Sequence, residues 1–117
     1  MTSPRSPLTA HVLDTTSGRP ARGLAVRLDL QGDGGAWIPL AERLTDDDGR
    51  VQDLLASGAL AAATYRVTFD TGAYFRAAGR STFYPRVEVI FAVVAPDEHH
   101  HIPLLLSPFG YSTYRGS

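Results

Sequence analysis

The chain contains no cysteine, so thiol nucleophiles, disulfides and Cys-ligated zinc are all excluded. It contains no lysine either: all 11 basic residues are arginine, which removes Schiff-base catalysis and the phosphate-binding P-loop. A formal net charge of −1 with scattered arginines leaves no basic stripe of the kind that neutralises phosphates, so nucleic acid is not an expected partner. No apolar run is long enough to span a membrane. The opening Met-Thr-Ser-Pro-Arg-Ser-Pro has no apolar h-region, which makes the cytoplasm the expected setting and residues 1–7 a flexible arm. There is no repeat, linker or charge block. Residues 8–117 are read as one domain, long enough at 117 residues in all to bury a core without disulfides.

The remaining pattern is a series of short strands. Leu8 to Asp14 alternates, with Leu8, Ala10 and Val12 on one side and Thr9, His11 and Leu13 on the other. Thr15 to Gly23 is a turn cluster, and Leu24 to Leu30 is a second strand whose other face, Ala25, Arg27 and Asp29, is wet. After a glycine-rich turn at 31–35, Trp37 to Leu44 forms a third strand with Ile38, Leu40 and Leu44 in register. Asp46-Asp47-Asp48-Gly49-Arg50 is a tight turn. Its contiguous aspartates lack the alternate spacing and the twelfth-position Glu of a calcium loop. Leu54 to Ala63 has no firm assignment. Thr64 to Asp70 is a strand with Tyr65, Val67 and Phe69 inside, Ala73 to Ala78 is a short helix, and Arg86 to Val94 is a strand with Val87, Val89, Phe91 and Val93 on one face. Seven or eight strands with a turn every ten residues or so predict an antiparallel sandwich or barrel.

The last nineteen residues, from His99 to Ser117, are crowded with imidazoles, aromatics and an arginine, where termini ordinarily carry small polar groups. In a strand from His99 to Leu106 the aliphatic Ile102, Leu104 and Leu106 take the core side, which turns His99 and His101 outward and points His100 toward the core side or the strand edge. By the same parity His11 points outward from the first strand. That outer face also carries Leu13 and Leu105, and the strand before it adds Ile90 and Val94. Apolar residues on both faces predict a cover, supplied by a second copy of the chain. Partly desolvated histidines there serve as neutral bases near pH 7, and a nearby arginine holds an anion or a developing oxyanion. His11, His101 and Arg50 thus form a hydrolytic set with water as nucleophile, since no Gly-x-Ser-x-Gly elbow accompanies them. Zinc is the rival reading of the same imidazoles, two at i and i+2 with a third from elsewhere; the hydrolytic reading requires neither metal nor cofactor.

These motifs resemble a known family. His11-Val12-Leu13-Asp14-Thr15 running on to Gly18-Arg19-Pro20-Ala21 is similar to the opening of the transthyretin-like proteins. The ending HHHIPLLLSPFGYSTYRGS resembles that of their enzymatic branch, the 5-hydroxyisourate hydrolases, which close on Tyr-Arg-Gly-Ser. Thr45-Asp46, Gly49-Arg50 and Phe83-Tyr84-Pro85 fall where the family has similar segments. The resemblance implies an all-β, transthyretin-like sandwich of two four-stranded antiparallel sheets with one short helix. It implies a homotetramer, a dimer of dimers with sites in the channel between dimers. It further implies hydrolytic opening of 5-hydroxyisourate to 2-oxo-4-hydroxy-4-carboxy-5-ureidoimidazoline in urate breakdown. His11, Arg50 and His101 match the catalytic positions. Tyr114, Arg115 and Ser117 line the site, and His99 is grouped with them as substrate-binding. His100 and Arg86 depart from the family pattern. The alternatives are a carrier of small aromatic ligands, as in vertebrate transthyretin, which lacks this His, Arg and Tyr-Arg-Gly-Ser set, and a zinc-binding or purely structural homotetramer.

Overall fold

A computed structural model describes residues 5–117 of the chain. Two sheets face each other across one apolar core. The first is built on β1 (Leu8–Asp14) and β8 (His100–Ser107), flanked by β9 (Gly110–Thr113) and by two-residue strands β2 (Arg19–Pro20) and β5 (Arg50–Val51), which both pair with β1. The second has the order β4 (Trp37–Leu44), β3 (Ala25–Gln31), β6 (Ala63–Phe69), β7 (Val87–Val93). The helix α1 (Thr71–Ala77) joins β6 to β7.

Period-two burial explains the core. Leu8, Ala10 and Val12 from β1 and Leu104 and Leu106 from β8 are fully buried against Val26, Leu28, Val67 and Phe69 of the second sheet. Each of the valine, leucine and phenylalanine side chains stabilises the fold by roughly 1.5–3 kcal/mol when removed from water. Asp14 ends β1 inside this layer: burial alone pushes its carboxyl up, but Tyr74, Arg80 and the Thr16 N–H donate to it and hold it below the usual carboxylate range. That cluster ties α1 and the segment after it to the end of the strand that carries His11.

Two details of the expected sheets are corrected. The first sheet has five strands, not four, and β1 runs parallel to β8. The long intervening chain satisfies the requirement of a parallel pair for an extended connection. A second correction concerns the outer face. β7 pairs with β6 in the opposite sheet, so Ile90 and Val94 do not share a face with His101, although both are exposed. The residues between β7 and β8 carry the chain from one sheet to the other.

Smaller differences have local causes. Ile38, Leu40 and Leu44 are exposed, because β4 is an edge strand, and a bulge opposite Leu28/Asp29 leaves Leu40 without a partner. Asp29 is 2% exposed rather than wet, held by Arg66 at 3.0 Å. The unassigned 54–63 segment is irregular, with Leu54 and Leu60 plugging the core. Of the expected loose arm, residues 1–4 lie outside the described residues. Ser6 is buried, its hydroxyl bonding the carbonyls of Leu8 and Leu55, and the Pro7 carbonyl accepts from the His100 N–H.

The Asp46–Arg50 turn places Arg50 opposite His11. Asp46 Oδ1 accepts from the N–H groups of Asp48 and Arg50, and the Asp46 N–H bonds the Arg50 carbonyl. Gly49 takes φ 72°, and a Cβ there would lie 2.4 Å from the Val12 carbonyl oxygen. Gly49→Ala is therefore expected to destabilise the fold by about 1–3 kcal/mol, read as a lower urea midpoint; an unchanged midpoint would show that the turn relaxes without cost.

Candidate active site

Strand register assembles the outer face of the first sheet. Side-by-side pairing aligns Thr9 with His101, His11 with Pro103 and, across β5, His11 with Arg50. Partners in a ladder point to the same face, so the parity that buries Leu8, Ala10 and Val12 sets Thr9, His11, His101 and Arg50 together on the other side. Thr9, His101 and Arg50 border a cleft of about 510 Å³ whose lining also includes Arg5, Ser6, Gln52 and Ser117. Arg50 is exposed and makes no ion pair among the described residues, so its guanidinium is free for a ligand.

His101 is half-buried and lines the cleft, its Nδ1 lying 2.7 Å from Thr9 Oγ1; among the described residues Nε2 has no hydrogen-bond partner. His99 Nε2 reaches the same hydroxyl at 3.0 Å from the other side. His11 Nε2 lies 3.1 Å from the Asp48 carbonyl, which only accepts, so neutral His11 carries its proton on Nε2 and keeps a lone pair on Nδ1. His11 sits beside the cleft, not on its wall. All three imidazoles titrate below the ordinary value near 6.5. Burial is the largest cause in each. Arg50 comes next for His11, His11 and then Arg50 for His101, and Arg5 for His99.

These depressed values make stability pH-dependent. As pH falls through 6.5 the unfolded chain takes up protons that the folded imidazoles resist, so stability falls with pH in that window and is fully present above it. The urea midpoint is expected to be lower at about pH 5.5 than at about pH 7.5, with carboxylates contributing only at lower pH. A midpoint that rises on acidification would contradict the burial of these rings.

The tail divides. Gly116 forms a bridge with His101, its N–H donating to the His101 carbonyl at 2.9 Å, and a Cβ on Gly116 would lie 2.5 Å from the His101 ring. Only glycine lets the chain end lie against that imidazole and bring Ser117 to the cleft. Tyr114 and Arg115 lie elsewhere within the chain. They border a separate apolar hollow of about 200 Å³ with Val89, Phe91 and His100, and Arg115 pairs with Glu98 at 3.2 Å. His99 likewise stands behind Thr9 and lines another hollow, not the cleft. The sequence reading missed Thr9, Arg5 and Gln52. Parity had set Thr9 on the His11 face, but nothing in the sequence marked it as a partner of the imidazoles.

The two departures from the family pattern have structural roles. His100 is 4% exposed with Nδ1 2.9 Å from the Glu98 carbonyl, and Arg86 pairs with Glu88 at 2.8 Å. A second hollow, on the outer face of the other sheet, offers no comparable set: its arginines Arg27, Arg66 and Arg86 are each paired with Asp29 or Glu88. Among the described residues no three His, Asp or Glu side chains are grouped so as to hold a metal ion.

The sequence model of the HIUase/Transthyretin family matches residues 8–116. The chain is 46% identical to the 5-hydroxyisourate hydrolase of Mus musculus over 118 aligned residues, covering 100% of each chain. Among solved structures it resembles Klebsiella pneumoniae 5-hydroxyisourate hydrolase, with TM-score 0.80 and 37% identity over 94% of this chain and 98% of that one. It also resembles sea bream transthyretin in complex with thyroxine, with TM-score 0.89 and 35% identity over 94% of both.

Proposed function

The chain belongs to the HIUase/Transthyretin family, and from that membership we infer that it is a hydrolase of urate degradation, opening the ring of 5-hydroxyisourate. Fold does not separate a hydrolase from a carrier, since the thyroxine-bound transthyretin superposes as well as the hydrolase does. The observation that carries the reading is the unpaired Arg50 guanidinium set beside His101 on a cleft wall. An apolar carrier channel needs neither group.

In this reading a water molecule is held between His101 Nε2 and the His11 side, and an imidazole lone pair takes its proton as it attacks the ring carbonyl. Arg50 stabilises the oxyanion that forms and holds the anionic substrate. Collapse of the tetrahedral centre breaks the ring C–N bond, and the proton returns to the leaving nitrogen. Burial and neighbouring cations keep both imidazoles neutral, the form this step needs. Ser117 bounds the cleft.

Two kinds of contact support a homotetramer in the proposal. β7 and β9 are edge strands that border one hollow, so both sheets leave unpaired backbone on the same side, ready to pair with a second copy. The outer face of the first sheet carries half-buried Leu13 and Leu105 beside the histidines, and a second dimer covering it would close the cleft. Tyr114 and Arg115 belong to that shared rim in the assembly. The cytoplasmic setting expected above is part of the same proposal and is checked by cell fractionation.

The test is an ultraviolet assay following freshly generated 5-hydroxyisourate with and without the protein. Loss accelerated in proportion to protein is expected. Loss at the spontaneous rate, with saturable binding of an aromatic ligand, would move the assignment to a carrier.

A further inference from the structure

Thr9 occupies an unusual position: its side chain is on the outward face of β1, yet the residue is 7% exposed, because His99 and His101 close over it. Its hydroxyl makes two side-chain hydrogen bonds, 3.0 Å to His99 Nε2 and 2.7 Å to His101 Nδ1. One hydroxyl has a single proton. It donates to one imidazole and accepts from the other, and the alternative, with both rings donating, strands a buried O–H.

The two neutral rings are therefore locked together. If Thr9 donates to His99 Nε2, His101 must donate from Nδ1, so both rings carry their proton on Nδ1 and His101 Nε2 presents a lone pair to the cleft. If Thr9 donates to His101, both carry it on Nε2, and the cleft meets an N–H. The far nitrogen of His99, Nδ1, is buried with no hydrogen-bond partner of good geometry among the described residues, while the backbone of Ser6 lies close enough to favour the protonated ring. His99 thus ends a hydrogen-bonded chain that begins at the His101 ring on the cleft wall.

We propose that Thr9 and His99 are positioning residues for the reaction: they fix the tautomer of His101 and share the proton it takes from water. The proposal rests on the hydrolase reading above. The step balances. The water O–H bond breaks and its proton goes to His101 Nε2, while the His101 Nδ1 proton passes to Thr9 Oγ1 and the Thr9 proton passes to His99 Nε2. His99 is left as the imidazolium, a charge that burial and Arg5 oppose and the Ser6 backbone favours, and the ring facing the cleft is neutral again. The reverse transfer returns the proton to the leaving nitrogen, so no oxidant, reductant or metal is consumed. His99 acts through Thr9 and does not touch the substrate.

Nitrogen-15 NMR of histidine-labelled protein reads the tautomers directly and needs no substrate. Both His99 and His101 protonated on Nδ1 is the expected result; unlike tautomers overturn the coupling, and both rings protonated on Nε2 overturn the relay. Kinetics supply the second readout. Thr9→Val, which keeps the shape but removes the hydroxyl, is expected to lower kcat on the order of tenfold to hundredfold with little change in KM, as loss of an imidazole-orienting partner does. Thr9→Ser is expected to restore most of it. Wild-type kcat in folded Thr9→Val overturns the relay. If Thr9→Val does not fold, His99→Gln carries the same test, with the same loss of kcat expected and wild-type turnover contradicting it. Failure of the hydrolase reading looks different: the unaltered protein would not accelerate loss of substrate at all, while the NMR pairing would stand.

Discussion

Replacing His101 by Asn is expected to lower kcat for 5-hydroxyisourate by roughly 10²–10⁴-fold, the usual contribution of a positioned general base. The ring lies on the outer face of β8, between the buried Ile102 and His100, and packs on Gly116 rather than in the core. Asn retains polarity at that place and leaves the aliphatic layer beneath untouched. Urea midpoint and oligomeric state should therefore match the unaltered protein, and KM should change little, since a base is needed most in the transition state. Steady-state rates with a sedimentation run on the same sample check this. An intact, fully active His101→Asn protein would remove His101 from the chemistry.

Arg50→Met is expected to cost about 10²–10³-fold in kcat, the range for loss of one oxyanion donor. Arg50 is exposed, follows the Gly49 turn and makes no ion pair among the described residues, so the fold should tolerate the change. A second effect follows from charge. The Arg50 cation helps hold His11 and His101 below 6.5; without it both rise toward the ordinary value. Activity that needs the neutral rings is lost on acidification, so the acid limb of kcat/KM should move to higher pH in Arg50→Met. Arg50→Lys keeps the charge but not the planar fork, and should hold the acid limb in place while recovering only part of kcat. An acid limb that does not move in Arg50→Met would show that Arg50 stands too far from the imidazoles to act on them.

Much of this was legible in the sequence because strand parity is a local rule. β1 begins and ends where alternation said, at Leu8 and Asp14, and the same rule put His11 and His101 on one side and His100 on the other. Parity could not say which strands are neighbours. It gave no hint that β1 and β8 run parallel, or that β7 belongs to the opposite sheet, because those depend on where the chain crosses between layers. Nor could alternation show that Trp37 to Leu44 is an outermost strand, where a bulge interrupts the ladder and Leu40 is exposed. In the site, Arg50 was found from its turn, yet Thr9 was passed over because an isolated threonine on a strand carries no chemical signature until its two imidazole partners are in place. The tail could be read as important but not divided. Backbone contact with His101 assigns Gly116 and Ser117 to the cleft, and the Glu98 pair draws Arg115 away from it within one chain.

In the proposed mechanism this cleft activates water to open a ring. Running the reaction in water enriched in heavy oxygen, at several protein concentrations and against a protein-free control, and weighing the first product by mass spectrometry follows that oxygen atom. One heavy oxygen in the new carboxylate, appearing at a rate proportional to protein and lost in His101→Asn, is the predicted result. Product formed at the same rate whether or not the protein is present would contradict it.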